Sequence, residues 1–339
     1  MAYTDIDKPS DYFNTVTYTA SGSGQSVTGV NFQPDLVWLK IRNTTGSHYL
    51  NDSVRGVQKS IYSNETDAET SDNYLTSFDS DGFSLGSGNY TSPNTIVGWN
   101  WLASNTTASN TDGSITSTVS ANTTSGFSIA TYTGNGTGSA TIGHGLGSAP
   151  KFVIIKNRGR AGESWQTWFD NDKRLNLNST SVSFISTHPI STSSTVVTTP
   201  STADAGWNTN NDTYVMYSFA EKKGFSKFGS YTGNGSTDGV FCYNGMKPAF
   251  IMIKSSSLAE SWFMYDVKRS TFNVVDRYLM ANASNVEETS TSNYIDILSN
   301  GFKVRSLDSR VNSSGNTYIY MAFSENPFVT SGGIPTTAR

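Results

Sequence analysis

The chain carries one pattern three times. Tyr18-Thr19 is followed by Pro34-Asp35-Leu36-Val37-Trp38-Leu39-Lys40, Tyr132-Thr133 by Pro150-Lys151-Phe152-Val153-Ile154-Ile155-Lys156, and Tyr231-Thr232 by Pro248-Ala249-Phe250-Ile251-Met252-Ile253-Lys254. Proline and lysine are six residues apart each time, and tyrosine precedes proline by 16, 18 and 17 residues. A repeat of this period makes a unit of about 100 residues the thing that folds. It argues against a single catalytic constellation spread over the whole chain.

The copies continue past the lysine. Each reaches an aspartate and then an arginine: Asp52 and Arg55, Asp170 and Arg174, Asp266 and Arg269. Copies two and three place Glu163-Ser164-Trp165 and Glu260-Ser261-Trp262 ahead of that pair. Each copy closes on a threonine-led aromatic stretch, Thr95 to Leu102, Thr213 to Ala220 and Thr317 to Ser324. Trp101, Phe219 and Phe323 fall at matching positions in these stretches and are expected in cores. Lys40, Lys156 and Lys254 are read as strand-end lysines that discourage edge pairing. Copy two diverges most, with a run of Ser, Thr and Val where the others have Gly-Phe.

Short apolar stretches rich in Val, Ile, Tyr, Phe and Trp alternate with Ser, Thr, Asn, Asp and Gly clusters. This spacing predicts an all-β chain of three tandem related β-sandwich units, jelly-roll-like, each of about 100 residues. Along Tyr214 to Phe219, one face takes Val215, Tyr217 and Phe219. Phe152 to Ile155 is apolar on both faces and reads as a central strand covered on both sides. Arg55 to Ser63 is read as a short helical turn. Gly134-Asn135-Gly136 and Gly233-Asn234-Gly235 are read as tight turns needing positive φ, since no Gly-Lys-Ser/Thr follows to make a phosphate loop.

The boundaries follow. Unit 1 covers 1–104, a polar Ser/Thr/Asn linker 105–125, unit 2 126–222, unit 3 223–328 and a C-terminal tail 329–339. Ile115 and Val119 interrupt the linker and are candidates to pin it as an edge strand on the next unit. Otherwise it reads as a flexible tether, whereas units 2 and 3, joined by Glu221 to Gly224, pack rigidly.

Only 15% of residues are charged and the net charge is −4, against about 25% charged in an average globular chain. No Lys/Arg cluster offers a phosphate-binding surface, so nucleic acid is not an expected partner. No apolar run reaches the roughly 18 residues of a membrane helix, and the N-terminus lacks a charged-then-apolar leader. Cys242, the one cysteine, has no intrachain partner and reads as a small buried residue on a strand.

Candidate chemistry is sparse. His48, His144 and His188 fall at different places in the repeat, so no metal set is expected. His144 lies in Ile142-Gly143-His144-Gly145-Leu146-Gly147, reads as an exposed loop and is the histidine best placed to meet a partner. Asp79 with Asp81, and Glu287 with Glu288, are the carboxylate pairs that a glycan depolymerase would need; both lie in turn-like text. The repeated Asp and Arg allow two readings. One is a polar contact spot at Asp170 or Asp266, with Trp165 or Trp262 as the stacking face for a sugar. The other is a salt-bridged corner that orients loops. No cofactor is expected.

Several long phrases carry a resemblance: Lys8-Pro9-Ser10-Asp11-Tyr12-Phe13-Asn14, Trp99-Asn100-Trp101-Leu102-Ala103-Ser104, Gly143-His144-Gly145-Leu146-Gly147 before Pro150, and Phe225 through Gly235. Together, from Tyr3 to Phe328, they resemble a family of uncharacterised structural proteins of tailed bacteriophages, marine ones especially, often labelled tail-fibre-like. The resemblance implies a virion structural protein and not an enzyme. It would be assembled in the host cytoplasm and exposed on the particle, tail-associated as fibre, tip or appendage, with host surface polysaccharide as an expected contact. A capsid decoration protein without receptor role is the alternative, and a glycan depolymerase the alternative of another class. Partners are then other virion proteins and further copies of the chain, a homotrimer first, with no membrane insertion. The long repetitive shaft of a full fibre is missing from this sequence.

Overall fold

The computed structural model describes residues 3–87, 93–169, 173–182, 184–185 and 188–337. These residues are all-β, apart from a 3₁₀ turn at Pro9–Asp11 and one helical turn at Ser309–Asn312. Arg55 to Ser63 forms turns and a short strand, Lys59–Ser60, rather than the expected helical turn.

The strands fall into the same arrangement in three stretches. In the first, β1 (Phe13–Thr19), β2 (Gln25–Thr28), β3 (Leu36–Ile41), β4 (Tyr49–Asp52), β5 (Leu75–Asp79), β6 (Gly82–Leu85) and β7 (Thr95–Trp101) form a four-stranded sheet, β1-β7-β3-β4, and a three-stranded one, β2-β6-β5. Two further strands follow, β8 (Ala108–Asn110) and β9 (Ser117–Asn122). The second stretch has β10 (Phe127–Thr133), β11 (Thr141–Gly143), β12 (Phe152–Asn157), β13 (Gln166–Phe169), β14 (Ser191–Thr192), β15 (Val196–Thr198) and β16 (Thr213–Phe219). Their orders are β10-β16-β12-β13 and β11-β15-β14. The third has β17 (Ser226–Thr232), β18 (Phe241–Tyr243), β19 (Met246–Ser255), β20 (Trp262–Asp266), β21 (Ile295–Leu298), β22 (Gly301–Val304) and β23 (Thr317–Pro327), ordered β17-β23-β19-β20 and β18-β22-β21. Short strands at 173–176, 184–185, 277–280 and 288–289 extend the larger sheets of the second and third stretches. All of these pairings are antiparallel, and registers match: Leu36 faces Trp101, Phe152 faces Phe219 and Phe250 faces Phe323.

The alternation of side chains across a strand explains the layering. On β16, Val215, Tyr217 and Phe219 enter one apolar cluster, while Tyr214 and Met216 enter another. On β7 and β23 the same division puts Val97, Trp99 and Trp101, and Ile319, Met321 and Phe323, into the first cluster. That first cluster is common to all three larger sheets. The opposite faces pack on the three-stranded sheets, giving three separate outer cores. A strand apolar on both faces is what this double burial requires, and all six residues of β12 are buried.

Trp101, Phe219 and Phe323 meet at one point of the shared cluster. Their ring centroids are 6.5 Å apart for Trp101 and Phe219, 5.6 Å for Trp101 and Phe323, and 6.0 Å for Phe219 and Phe323. Phe13 stacks on Phe323 at 5.0 Å, and Phe127 on Phe219 at 4.9 Å.

Residues 105–125 are not the flexible tether of the sequence reading. β9 pairs along β10 from Ser117 opposite Tyr132 to Asn122 opposite Phe127, and β8 pairs outside it. Ile115 and Val119 are buried and fasten the segment to the outer core of the second stretch. The two glycine-rich turns are wider than tight hairpins, because residues 134–140 and 233–240 each separate two strands of different sheets. Gly136 and Gly235 have φ of 70° and 63°. At Gly134 the reason is space: a Cβ would lie 2.2 Å from the Thr209 carbonyl oxygen.

Truncating Phe219 to Ala removes a buried ring from the point where three sheets meet. The expected cost is about 3–5 kcal/mol in chemical denaturation. Combined with Trp101→Ala, the loss is expected to be non-additive, since the rings share one site. An additive double mutant would place the two rings in independent cores.

Candidate functional site

The repeated lysines are the main departure from the sequence reading. Lys40, Lys156 and Lys254 are fully buried on inner strands and protect no edge. Each ammonium donates to the carbonyl of its next residue, Ile41, Asn157 or Ser255, at 2.7, 2.9 and 2.7 Å. Each also reaches a carbonyl in a different stretch. Lys40 donates to Ser284 at 3.3 Å, Lys156 to Thr66 at 3.3 Å and Lys254 to Thr180 at 3.2 Å. The contacts form a cycle, first stretch to third, third to second, second to first. A lysine chain is long enough to cross such a seam, and its buried ammonium carries three donors that need acceptors in place of water.

Other groups cross the seams at matching places. Trp165 Nε1 donates to Tyr62 O at 2.8 Å, and Trp262 Nε1 to Asn176 O at 3.0 Å. Both indoles are buried, so neither offers the stacking face foreseen for a sugar. In the first stretch Trp38 Nε1 donates to His48 Nδ1 at 2.9 Å, and His48 Nε2 lies 2.9 Å from Met280 O. That geometry needs a neutral ring protonated at Nε2. Burial, with Lys40 nearby, holds the His48 pKa well below its ordinary value.

The Asp–Arg pairs lie beside these crossings. Arg55 binds Asp52 at 2.5 Å and Glu69 at 3.1 Å, and Glu69 is gripped by both arms of Arg158 at 2.9 Å. Tyr217 donates to Asp52 at 2.7 Å. The second network repeats the design: Arg269 binds Asp266 at 2.5 Å and Glu287 at 3.3 Å, Arg42 grips Glu287 at 2.8 Å through two nitrogens, and Trp99 donates to Asp266 at 3.0 Å. Bidentate arginine–carboxylate pairs are directional as well as strong. The arginines hold the carboxyls of Glu69 and Glu287 below the usual range against the opposing effect of burial. On the third seam Ser256 occupies the arginine position and Met321 the position of Trp99 and Tyr217. Asp170 lies outside the described residues.

The remaining candidates are placed as follows. Asp266 is buried in its ion pair and offers no contact spot. His144 is buried, not on an exposed loop, and its Nδ1 accepts from Leu146 N at 3.2 Å. Asp79 accepts from Ser77 and Ser84, and Asp81 caps Gly29 N and Asn31 N. Glu288 accepts from Tyr278. Cys242 is buried in the outer core of the third stretch, which pushes its thiol up to about 12. Among the described residues no group of three or more His, Cys, Asp or Glu is arranged to hold a metal ion. The centre of the shared cluster has a cavity of about 10 Å³ between Leu36, Trp101, Ile154, Phe219, Phe250 and Met321, roughly one water in size.

Sequence reasoning missed Arg42, Arg158 and Glu69, and it took Glu287 only as one of a carboxylate pair with Glu288 and His48 only as an isolated histidine. A signal existed for two of them: Lys40-Ile41-Arg42 and Lys156-Asn157-Arg158 share a Lys-x-Arg spacing.

These features define a class: an all-β chain of several antiparallel sheets sharing one core, with its buried charges placed at seams. The chain belongs to the family described as Domain of unknown function (DUF7483), whose model matches residues 8–327. No curated protein and no solved structure matches it significantly.

Burial lowers the three lysine pKa values from 10.5 to about 8. A folded-state pKa below the unfolded one means that protonation opposes folding. The cost is full below pH 8 and is relieved as pH rises toward 10.5. At about 1.4 kcal/mol per unit it amounts to roughly 3 kcal/mol per lysine. Unfolding free energy is therefore expected to rise between pH 8 and 10. Lys254→Met should remove about a third of that slope. Buried tyrosines such as Tyr214 and Tyr278, pushed up to about 12, reverse the trend above pH 10. Denaturation at stepped pH checks this, and a flat profile from 7 to 10 would refute it.

Proposed function

We propose that the chain consists of three tandem related β-sandwich units, within 1–104, 126–222 and 223–328, closed into a ring about a pseudo-threefold axis. We further propose that it serves as a structural protein on the exterior of a tailed-bacteriophage particle, associated with the tail as a tip or appendage. The observation that carries the reading is the closure of the seams. Repeated lysines, arginines, carboxylates and indoles are used to lock three sheets to one another, which suits a rigid building part. The resemblance to phage structural proteins supplies the particle.

Symmetry of a particle favours oligomers, and a homotrimer is the first order expected. The ring supplies threefold symmetry within one chain, so we take the single chain as the docking unit. Light scattering should return the mass of one chain, and a stable mass three times larger would restore the trimer. Adhesion to host surface glycans is the narrower form of the reading. Exposed rings at Tyr243 and Phe272, 55% and 77% accessible, supply the apolar faces that buried Trp165 and Trp262 do not.

The deciding experiment is a density map of an intact particle that encodes this chain. Density at the tail supports the reading, and density on the head shell turns it into capsid decoration. Particles that lack the protein entirely overturn it.

A further inference from the structure

A groove runs beside each of β1, β10 and β17, facing the neighbouring stretch. Along β10 it is bordered by Asp35 and filled by this chain. Asp35 Oδ2 accepts from Ala103 N at 2.7 Å and Asn105 N at 3.1 Å, and Asn122 Nδ2 donates to Ala103 O at 3.0 Å. Along β17 it is lined by Lys151, Glu221 and Lys227, with Phe228 in its wall. Along β1 it is a cleft of about 440 Å³, built by the first and third stretches together. Two small residues open it. Ala249 follows the repeated proline where Asp35 and Lys151 stand in the other copies. Thr15 pairs with Trp99 across the ladder, the place that Ile129 and Phe228 hold opposite Tyr217 and Met321. Ile129 and Phe228 enter the shared apolar cluster, whereas Thr15 lines the cleft.

The walls are held from outside the cleft. Asn14 Oδ1 accepts from Thr15 N at 3.0 Å and Asn14 Nδ2 donates to Val30 O at 3.1 Å, so this amide is already engaged. Asn31 has a φ of 74° and is fixed by Asp81, which accepts from its N–H at 2.6 Å. On the facing side Asp266 Oδ1 accepts from Lys268 N at 3.1 Å and from Arg269 N at 2.9 Å. The ion pair that locks the seam thus also sets Lys268 beside the cleft. A lining formed in advance lowers the ordering cost of binding.

The chemistry of the lining selects the ligand. Ser10, Asn31, Thr271 and Asn326 are uncharged donors and acceptors, and the charged groups are one of each sign, Lys268 and Glu325, the latter 3.6 Å from Lys247. A hydroxyl both donates and accepts, so a polyol serves amide, ammonium and carboxylate alike. An anionic ligand would meet Glu325 wherever it gained Lys268, a like-charge contact that is costly. Phe272, one residue past Thr271 on the same loop, is 77% exposed and supplies an apolar ring for the C–H face of a sugar.

We propose that this cleft binds an uncharged saccharide, about one or two sugar residues at a time, as its volume allows. The assignment rests on the adhesive reading above and gives it a location, the junction of the first and third stretches.

The test uses the full chain and a panel of neutral mono-, di- and trisaccharides of hexose and N-acetylhexosamine, with their uronic acid counterparts, followed by saturation-transfer NMR and calorimetry. Saturable binding of at least one neutral sugar is expected, unchanged between about 0.05 and 0.5 M salt. A photoreactive form of that sugar should label residues 10–15, 267–272 or 324–326. Lys268→Met and Phe272→Ala, both at exposed side chains, should each weaken binding roughly threefold to tenfold with an unchanged melting temperature. Labelling around Tyr243 instead, with Lys268→Met without effect, would overturn the cleft while adhesion stands. Preference for the uronic acids would overturn the uncharged class. No saturation by any sugar of the panel below about 10 mM would overturn the cleft and the adhesive reading together. The virion assignment is read from the particle map and does not depend on these outcomes.

Discussion

The whole architecture depends on the meeting of Trp101, Phe219 and Phe323. Each lies six residues into the closing strand of its sheet, and each sits within 6.5 Å of the other two. A sheet of four strands has two faces to cover. A three-stranded sheet covers one, and the shared aromatic cluster covers the other. One stretch removed from the chain would expose one face of β3, β7 or their counterparts. The three larger sheets are therefore mutually dependent for burial even though each also packs on an outer core.

Apolar packing alone is non-directional and leaves the sheets free to slide or rotate over that contact. The buried cations restrict this freedom. An ammonium with two or three carbonyl acceptors fits one register, as does a carboxylate between two arginines. Buried ion pairs are weak evidence for net stability and serve better as devices of specificity, which is the role the geometry gives them here. The lysines oppose folding when protonated, yet each is fully buried and gives its ammonium main-chain carbonyls on both sides of the seam. Their recurrence at one position in every copy is explained by the seam, not by chemistry on a substrate.

The all-β class, the threefold pattern and the double burial of Phe152–Ile155 were legible because strand period and repeat length are local properties. The seams were not. A repeated lysine after a hydrophobic strand reads equally well as an edge guard, and only the three-dimensional closure puts Lys40 against Ser284. The same limit misassigned Trp165, Trp262 and His144 as surface contacts. An indole beside Glu-Ser looks like a binding face until its N–H is seen to be used on a neighbouring carbonyl. Residues 105–125 looked loose because Ser, Thr and Asn dominate them. They form strands because β10 supplies a ladder and because Ile115 and Val119 reach an apolar face, a tertiary effect that outweighs composition.

The repeated pattern also locates what is individual about this protein. The repeated positions lie in the shared cluster, at the seams and in the outer cores, and the copies diverge at the edges of their sheets. One outer strand, β10, is covered by the chain's own β8 and β9. On the other two, side chains of the chain itself meet an outward amide: Glu221 accepts from Phe228 N, and Asn14 Oδ1 accepts from Thr15 N. The repeat thus fixes the sheets and their shared core, while the edges are closed by residues that the copies do not share, and for that reason the repeated pattern carried no signal of them.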